Sequence, residues 1–347
     1  MTKGSATVAQ LPEFDEIIDV RSPAEFADDH LPGAVSMPVL DNEQRAQVGT
    51  MYKQVSPFDA RRLGGALVAQ NLANHLLTHF QDKPRHWRPL IYCWRGGQRS
   101  GAFTTWLRMI GWDACQLVGG YKQYRREVVS ALETLPRTFE FQVVSGPTGS
   151  AKTRVLEALE RKGAQVLDLE GLAAHKGSVL GALPGTAQPS QKFFETLLYQ
   201  QLSRFTPEQP VFVEAESRKI GRIHLPGALI ERMRESECVM IDASREARIE
   251  FLLRDYAYLG DDAEDLKFKL GCLRRILPNE TLDRWNDYAD AHDLPRLFTE
   301  LIDQHYDPLY RRSQNSNYQG YANARRVESS DLSEGGIDAV AAAILKQ

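Results

Sequence analysis

The sequence predicts an α/β protein, two parallel-sheet domains in tandem followed by a helical C-terminal region. Short β-branched and aromatic runs alternate with segments of helical length, the order that parallel sheets require. Two of these runs open into glycine-containing loops about fifty residues apart, Cys93-Trp-Arg-Gly-Gly-Gln-Arg-Ser100 and Gly146-Pro-Thr-Gly-Ser-Ala-Lys-Thr153. From Asp255 onward the apolar residues recur at helical spacing. The expected boundaries are 1–133, 134–255 and 256–347.

A chain of 347 residues exceeds the usual size of one hydrophobic core, which supports more than one domain. Its hydrophobic share of 42% and charged share of 25% are those of a globular protein. No stretch approaches the ~18 consecutive apolar residues of a membrane span. Asp15, Glu16, Asp19 and Glu25 stand where a signal peptide would be apolar, so a cytoplasmic location is expected. Cys93, Cys115, Cys238 and Cys272 are widely spaced and form no CxxC pair, which argues against a zinc knuckle or a disulfide framework. Lysine and arginine number 42 against 46 acidic residues, a formal charge of -4. Nucleic-acid binding then needs a local basic face rather than a basic total.

In the first domain, residues 17–20 read as a buried strand, and Ser22-Pro23 as a helix start. His30-Leu-Pro-Gly-Ala34 is a turn in which His30 is structural rather than a base. The run Leu63–Leu77 has helical spacing, and Pro89-Leu-Ile-Tyr-Cys93 is a strand that delivers the cysteine at its C-terminal end, where open α/β sheets place their sites. Two glycines after Cys93 let backbone N–H groups converge on an anion, and Ser100 starts a helix whose positive end faces the same point. A thiolate there gains from the helix end, the amides and Arg95 or Arg99.

Asp19-Val-Arg21, Glu25-Phe26, His30-Leu-Pro-Gly-Ala34, the cysteine loop and Gly119-Gly120 together resemble a rhodanese domain over roughly residues 10–130. The resemblance implies that Cys93 carries a persulfide or perselenide. Arg99 lies six positions after Cys93, one more than in the usual rhodanese loop, which implies a wider cradle than simple thiosulfate sulfurtransfer needs. Phosphatases of the rhodanese fold also share a longer loop.

In the second domain, the strand Thr138–Val144 runs into the loop at Gly146, and Lys152–Arg161 follows with helical spacing. Strand, glycine loop and helix form the order of a phosphate-binding P-loop. Gly146, Gly149 and Ser150 belong to the phosphate cradle, Lys152 spans two phosphates, and Thr153 reaches a magnesium ion. Ala151 departs from the motif by standing where glycine precedes the lysine. Strands at 165–170, 210–216 and 238–242 bring carboxylates to their ends, of which Asp168 and Glu214 are the leading candidates for a magnesium shell. Arg218, Lys219, Arg222, Arg245 and Arg248 follow strand ends, as surface charge or as contacts to diphosphate and RNA backbone. Residues 175–190 make a long connection that either folds over a substrate or is an irregular surface segment. In the third region, Tyr306, Tyr310, Tyr318 and Tyr321 lie among Arg311, Arg312, Arg325 and Arg326, a mixture that stacks bases or packs on the body.

A rhodanese domain, a P-loop domain and a helical end, with Cys-Trp-Arg-Gly-Gly in the first loop, resemble the tRNA 2-selenouridine synthase family over almost the whole chain. The resemblance implies action on the wobble 2-thiouridine of tRNAs for lysine, glutamate and glutamine. Geranyl diphosphate would first alkylate the sulfur, and selenium from selenophosphate would then replace geranylthiol. It assigns Gly146, Gly149, Ser150, Lys152 and Thr153 to the diphosphate, and Cys93, Arg95 and Arg99 to selenium transfer. An apolar groove for the geranyl chain is expected at Leu180–Leu183 or on the helix bearing Phe193, Phe194 and Leu197. The competing expectation is a rhodanese-family sulfurtransferase or phosphatase with an ATP-binding P-loop domain.

Overall fold

The computed structural model describes residues 4–346, the side chains of Arg311 and of residues 313–316 excepted. The chain divides into two compact units, one running to Ala131 and including Glu195–Gln200, the other comprising Leu132–Phe194 and the residues from Gln201 on.

Strands β1 (Ser5–Ala6), β2 (Glu16–Asp19), β3 (Ala34–Ser36), β4 (Pro89–Tyr92) and β5 (Cys115–Leu117) form the first sheet, parallel throughout, in the order β1-β5-β4-β2-β3. All four residues of the central β4 are buried, as a strand covered on both faces must be. The expected helix start at Ser22-Pro23 is a capping box, Ser22 with Glu25, followed by Pro23 at the first helical position. The helix Pro57–His79 contributes Leu72 to a core that also contains Ile18, Ile91, Phe80, Phe103 and Leu107.

The second unit holds β6 (Phe141–Ser145), β7 (Gln165–Leu167), β8 (Val211–Glu214), β11 (Glu237–Ala243) and β12 (Arg325–Ser329), again all parallel, in the order β12-β11-β6-β8-β7. A small antiparallel hairpin, β9 (Lys219–Ile220) and β10 (Ile223–His224), follows β8. Crossover helices bring β6, β7 and β8 side by side, so their C-terminal ends converge on one place.

The helical pattern expected from Asp255 holds through Ala263–Gly271, Asn279–Asp290, Leu294–Leu301 and Asp307–Asn317, with one π-helical turn at Ile302–Tyr306. These segments close around Trp285, which is fully buried with Leu266, Leu270, Leu297 and Phe298. The pattern does not continue to the end. Residues 325–329 return as an edge strand, with Val327 buried opposite Ile241 and Arg325 and Arg326 exposed. Charged residues suit an edge, because they oppose pairing with another chain. The following helix, Glu334–Leu345, buries Ile337, Val340, Ala341 and Ile344 against Val155, Leu156 and Leu159 of the helix behind the P-loop. Among the described residues, no helix is long and apolar enough to cross a membrane.

Because that terminal helix completes the core, Ile344→Ala should destabilise the second unit by about 2–5 kcal/mol. Urea unfolding of the variant and the parent measures the loss. A midpoint unchanged by the substitution would contradict this packing.

Candidate functional site

In the first unit Cys93 follows β4 directly and is 4% exposed. Its Sγ accepts hydrogen bonds from the Gly97 N–H at 3.3 Å and from the Ser100 hydroxyl at 3.1 Å. Gln116 donates from Nε2 to Ser100 Oγ at 2.8 Å and to the Gly97 carbonyl at 3.0 Å. Burial pushes the thiol up, and the Ser100 bonds, the Arg99 charge and the Gly97 amide together hold it below its ordinary value. The helix begins at Gln98, with Gly97 as its cap, two residues before the predicted Ser100.

The loop's return is tight. The Cys93 carbonyl accepts from the Tyr121 N–H at 2.9 Å, and Gly120 has φ +58°, where a Cβ would collide with that same carbonyl. Beneath the loop Arg21 is buried, paired with Asp19 at 2.6 Å, and lies 4.1 Å from the Tyr121 ring centroid. Arg99 is held by Glu25 at 2.8 Å, whereas Arg95 is exposed and makes no ion pair among the described residues. His30 stacks on Phe26 with ring centroids 3.9 Å apart, consistent with a structural role in its turn.

In the second unit, the loop after β6 and the helix Lys152–Arg161 border a cleft of about 620 Å³. Lys152 Nζ donates to the Gly146 carbonyl at 2.9 Å, and the Gly146 N–H donates to Tyr310 Oη at 2.7 Å. Gly149 has φ +85°, and a Cβ there would approach the Arg248 carbonyl within 3.0 Å. The Ser150 hydroxyl is buried without a partner among the described residues. Ala151 adopts φ 58°, the left-handed conformation normally left to glycine, at a cost of roughly 1–2 kcal/mol. Its methyl lies in the core with Val155 and Leu156, a burial worth ~0.8 kcal/mol that offsets part of the strain.

The carboxylates at the strand ends are engaged within the fold. Asp168 caps the short helix Leu169–Ala173 through the Gly171 N–H at 2.7 Å, and Glu214 accepts from the Glu170 N–H at 2.7 Å. Glu170 is the group on Thr153, accepting from its hydroxyl at 3.0 Å. Burial raises Glu170 above its usual range against the pull of Lys152. Burial, then the Glu170 charge, pushes Glu216 up to about 8, and burial carries Glu214 well above its usual range. Lys152 is lowered by burial against the opposing pull of Glu170, Glu216 and Glu214.

The other expected contacts fall outside the cleft lining. Arg218 and Lys219 are exposed on the hairpin, Arg222 bonds the Gln188 and Pro189 carbonyls, and Arg245 forks onto Asp303 at 2.6 Å. Arg248 instead binds the Thr148 carbonyl at 2.9 Å and Asp307 at 2.5 Å, tying the P-loop to the helix Asp307–Asn317. Of the loop 175–190, His175, Lys176, Gly177, Ser178, Val179 and Leu183 line the cleft. Phe193, Phe194 and Leu197 do not. Tyr306 and Tyr310 also line it, and Tyr318 donates to the Glu216 carbonyl at 2.7 Å.

The fold and these two sites define a rhodanese-like domain joined to a P-loop α/β domain. A family model described as rhodanese-like domain matches residues 6–127, and one described as tRNA 2-selenouridine synthase AAA domain matches residues 139–271. A protein named tRNA 2-selenouridine synthase from Aeromonas salmonicida is 34% identical over 328 residues, covering 85% of this chain and 86% of that protein. One of the same name from Nitrosomonas europaea is 38% identical over 244 residues, covering 69% of this chain and 63% of its own length. The solved N-terminal domain of a putative ATP/GTP binding protein from Clostridium difficile is 32% identical, covering 36% of this chain and 98% of that one, with a TM-score of 0.32. The chain belongs to the tRNA 2-selenouridine synthase family.

Removing the hydroxyl in Ser100→Ala withdraws a donor from the thiolate and not from the thiol. The pH profile of Cys93 alkylation by iodoacetamide should therefore move to higher pH, with the thiol less reactive near neutrality. An unmoved profile would show that Ser100 does not stabilise the thiolate.

Proposed function

We propose that this chain converts the wobble 2-thiouridine of tRNAs for lysine, glutamate and glutamine into 2-selenouridine through an S-geranylated intermediate. The supporting observation is the composition of the cleft. Lys152, Thr153 and the loop amides stand at one side, while Val179, Leu183, Phe251, Tyr256, Tyr306 and Leu309 supply apolar wall within the same volume. A diphosphate carrying an isoprenoid chain matches both halves, with ~0.8 kcal/mol gained per buried methylene.

In the first step the base sulfur attacks C1 of geranyl diphosphate, the C–O bond breaks, and its electron pair leaves with diphosphate. Lys152 and the loop amides receive the charge that develops on that leaving group. Thr153 and Glu170 fit a magnesium ion, since such ions usually take one or two protein carboxylates and complete their shell with phosphate and water. The ion would neutralise further negative charge on the diphosphate. In the second step selenium of selenophosphate bonds to C2 of the base, the C2–S bond breaks and geranylthiol leaves with a proton, and water cleaves the Se–P bond to release phosphate. Cys93 serves this transfer, Arg99 favours its thiolate, and the unpaired Arg95 is available to the anionic donor.

Nucleoside mass spectrometry separates the steps. Cys93→Ala should retain geranylated tRNA and lose selenium incorporation, because alkylation uses the sulfur of the tRNA itself. Lys152→Ala should lower geranylation by roughly 10²–10³-fold. Loss of geranylation in the Cys93 variant would refute this division of labour.

Calorimetric titration gives an independent check, with geranyl diphosphate expected to bind more tightly than ATP. The reverse order, together with thiosulfate or phosphate-ester turnover at Cys93, would favour a sulfurtransferase or phosphatase with an ATP-binding domain.

A further inference from the structure

The P-loop cradle is closed at its Lys152 side by a residue far away in the sequence. Tyr310, on the helix Asp307–Asn317, receives the Gly146 N–H at 2.7 Å, and its ring centroid lies 5.6 Å from Lys152 Nζ. The first amide of the loop is thus already satisfied, and the ammonium faces an aromatic ring. Burial pushes the Tyr310 phenol up, so it stays a neutral hydroxyl that can accept from an amide without adding negative charge beside a phosphate.

The position is firmly held. Three residues before Tyr310, Asp307 forks onto Arg248 at 2.5 and 3.0 Å, and Arg248 in turn binds the Thr148 carbonyl of the P-loop at 2.9 Å. Arg248 is only 5% exposed, so both its bonds are made in a largely dry setting, where they are strong. Leu309 and Tyr306 flank Tyr310 in the cleft lining. Helix and loop are therefore fastened together beside Lys152.

We propose that Tyr310 is a specificity-determining residue that closes the cradle beyond Lys152, so that the P-loop accepts two linked phosphates and excludes a third. The inference rests on the reading of this loop as a diphosphate site and adds the group that sets the phosphate count. A third phosphoryl group would have to displace the phenol from the Gly146 amide and occupy the space of its ring. A diphosphate uses the remaining amides, Lys152 and Thr153 and leaves Tyr310 in place.

Inorganic pyrophosphate and tripolyphosphate, titrated calorimetrically with magnesium present, isolate the phosphate count from the apolar chain. The parent protein should bind pyrophosphate more tightly. Tyr310→Ala should bring tripolyphosphate to equal or better affinity, a relative gain of about tenfold for one freed amide and the vacated space. Tyr310→Phe keeps the ring and the helix packing but frees the amide, and should show the same change in smaller degree. It serves as the decisive variant if the alanine variant does not fold. Tyr318→Phe removes a hydroxyl from the same region that binds the Glu216 carbonyl, and should leave the preference unchanged.

A parent protein that binds tripolyphosphate at least as well as pyrophosphate, or a preference that survives in the folded Tyr310 variants, overturns the proposal. So does equal loss of preference in Tyr318→Phe, which would trace the effect to general packing of the helical segment. Lys152→Ala tests the underlying reading separately, because pyrophosphate binding that persists without Lys152 defeats the phosphate site itself.

Discussion

Desolvation disfavours the charge of the half-buried Lys152 ammonium, and the charges of Glu170, Glu216 and the buried Glu214 oppose that loss. Three carboxyls exceed what one ammonium can balance. Burial, and the charge of the neighbouring carboxyls, push Glu170, Glu214 and Glu216 above their usual range. The arrangement constrains the whole unit. Glu170 comes from the short helix Leu169–Ala173 after β7, Glu214 from the end of β8, and Lys152 from the start of the helix after β6, so these strands must end together. The parallel order β6-β8-β7 satisfies that requirement, and a one-residue slip of β8 would turn Glu214 to the opposite face.

The first unit stabilises its charge by a different means. Cys93 is also buried, yet the groups closest to its sulfur are a hydroxyl and an amide rather than a counterion. Arg99 contributes charge, but its guanidinium is bonded to Glu25, which moderates the field at the sulfur. A thiolate held mainly by neutral donors is accessible without a strongly positive pocket that would retain an anionic product. Gln116 extends this arrangement, because its amide donates to Ser100, the hydroxyl that bonds Cys93.

Much of this was legible in the sequence where the signal is local. Ser22-Pro23, the run Pro89–Tyr92 and the loop from Gly146 to Thr153 carry their structure in adjacent residues, and each forms the expected element. Ala151 was also visible as a departure, although only the structure shows its left-handed backbone and its buried methyl. The choice among carboxylates was not legible in the same way. Asp168 sits three residues before Gly171, a spacing that suits a helix cap, and once Asp168 is used so, the helix places Glu170 against Thr153. Tyr310 and β12 were harder still. No periodicity links Tyr310 to an amide more than a hundred and sixty residues earlier, and a five-residue edge strand rich in charge resembles a helix surface when read alone.

The order of elements gives these distant contacts a common origin. The segment between the helix Arg245–Asp255 and β12 is an insertion into the second sheet domain, since the chain leaves after β11 and returns to pair with that same strand. The sheet domain supplies the P-loop, Lys152 and the carboxylates, all at strand ends. The insertion supplies Tyr256, Tyr306, Leu309 and Tyr310, which form much of the facing wall. A phosphate-binding loop has little freedom to vary, because its amides must keep their geometry, whereas a helical insertion can change its side chains without disturbing β6 or the helix behind it. Under the proposed function, selectivity for the group attached to the phosphates would lie in the insertion. The Arg248–Asp307 pair is the fastening that makes such a division workable, since it transmits the position of the loop directly to the wall opposite.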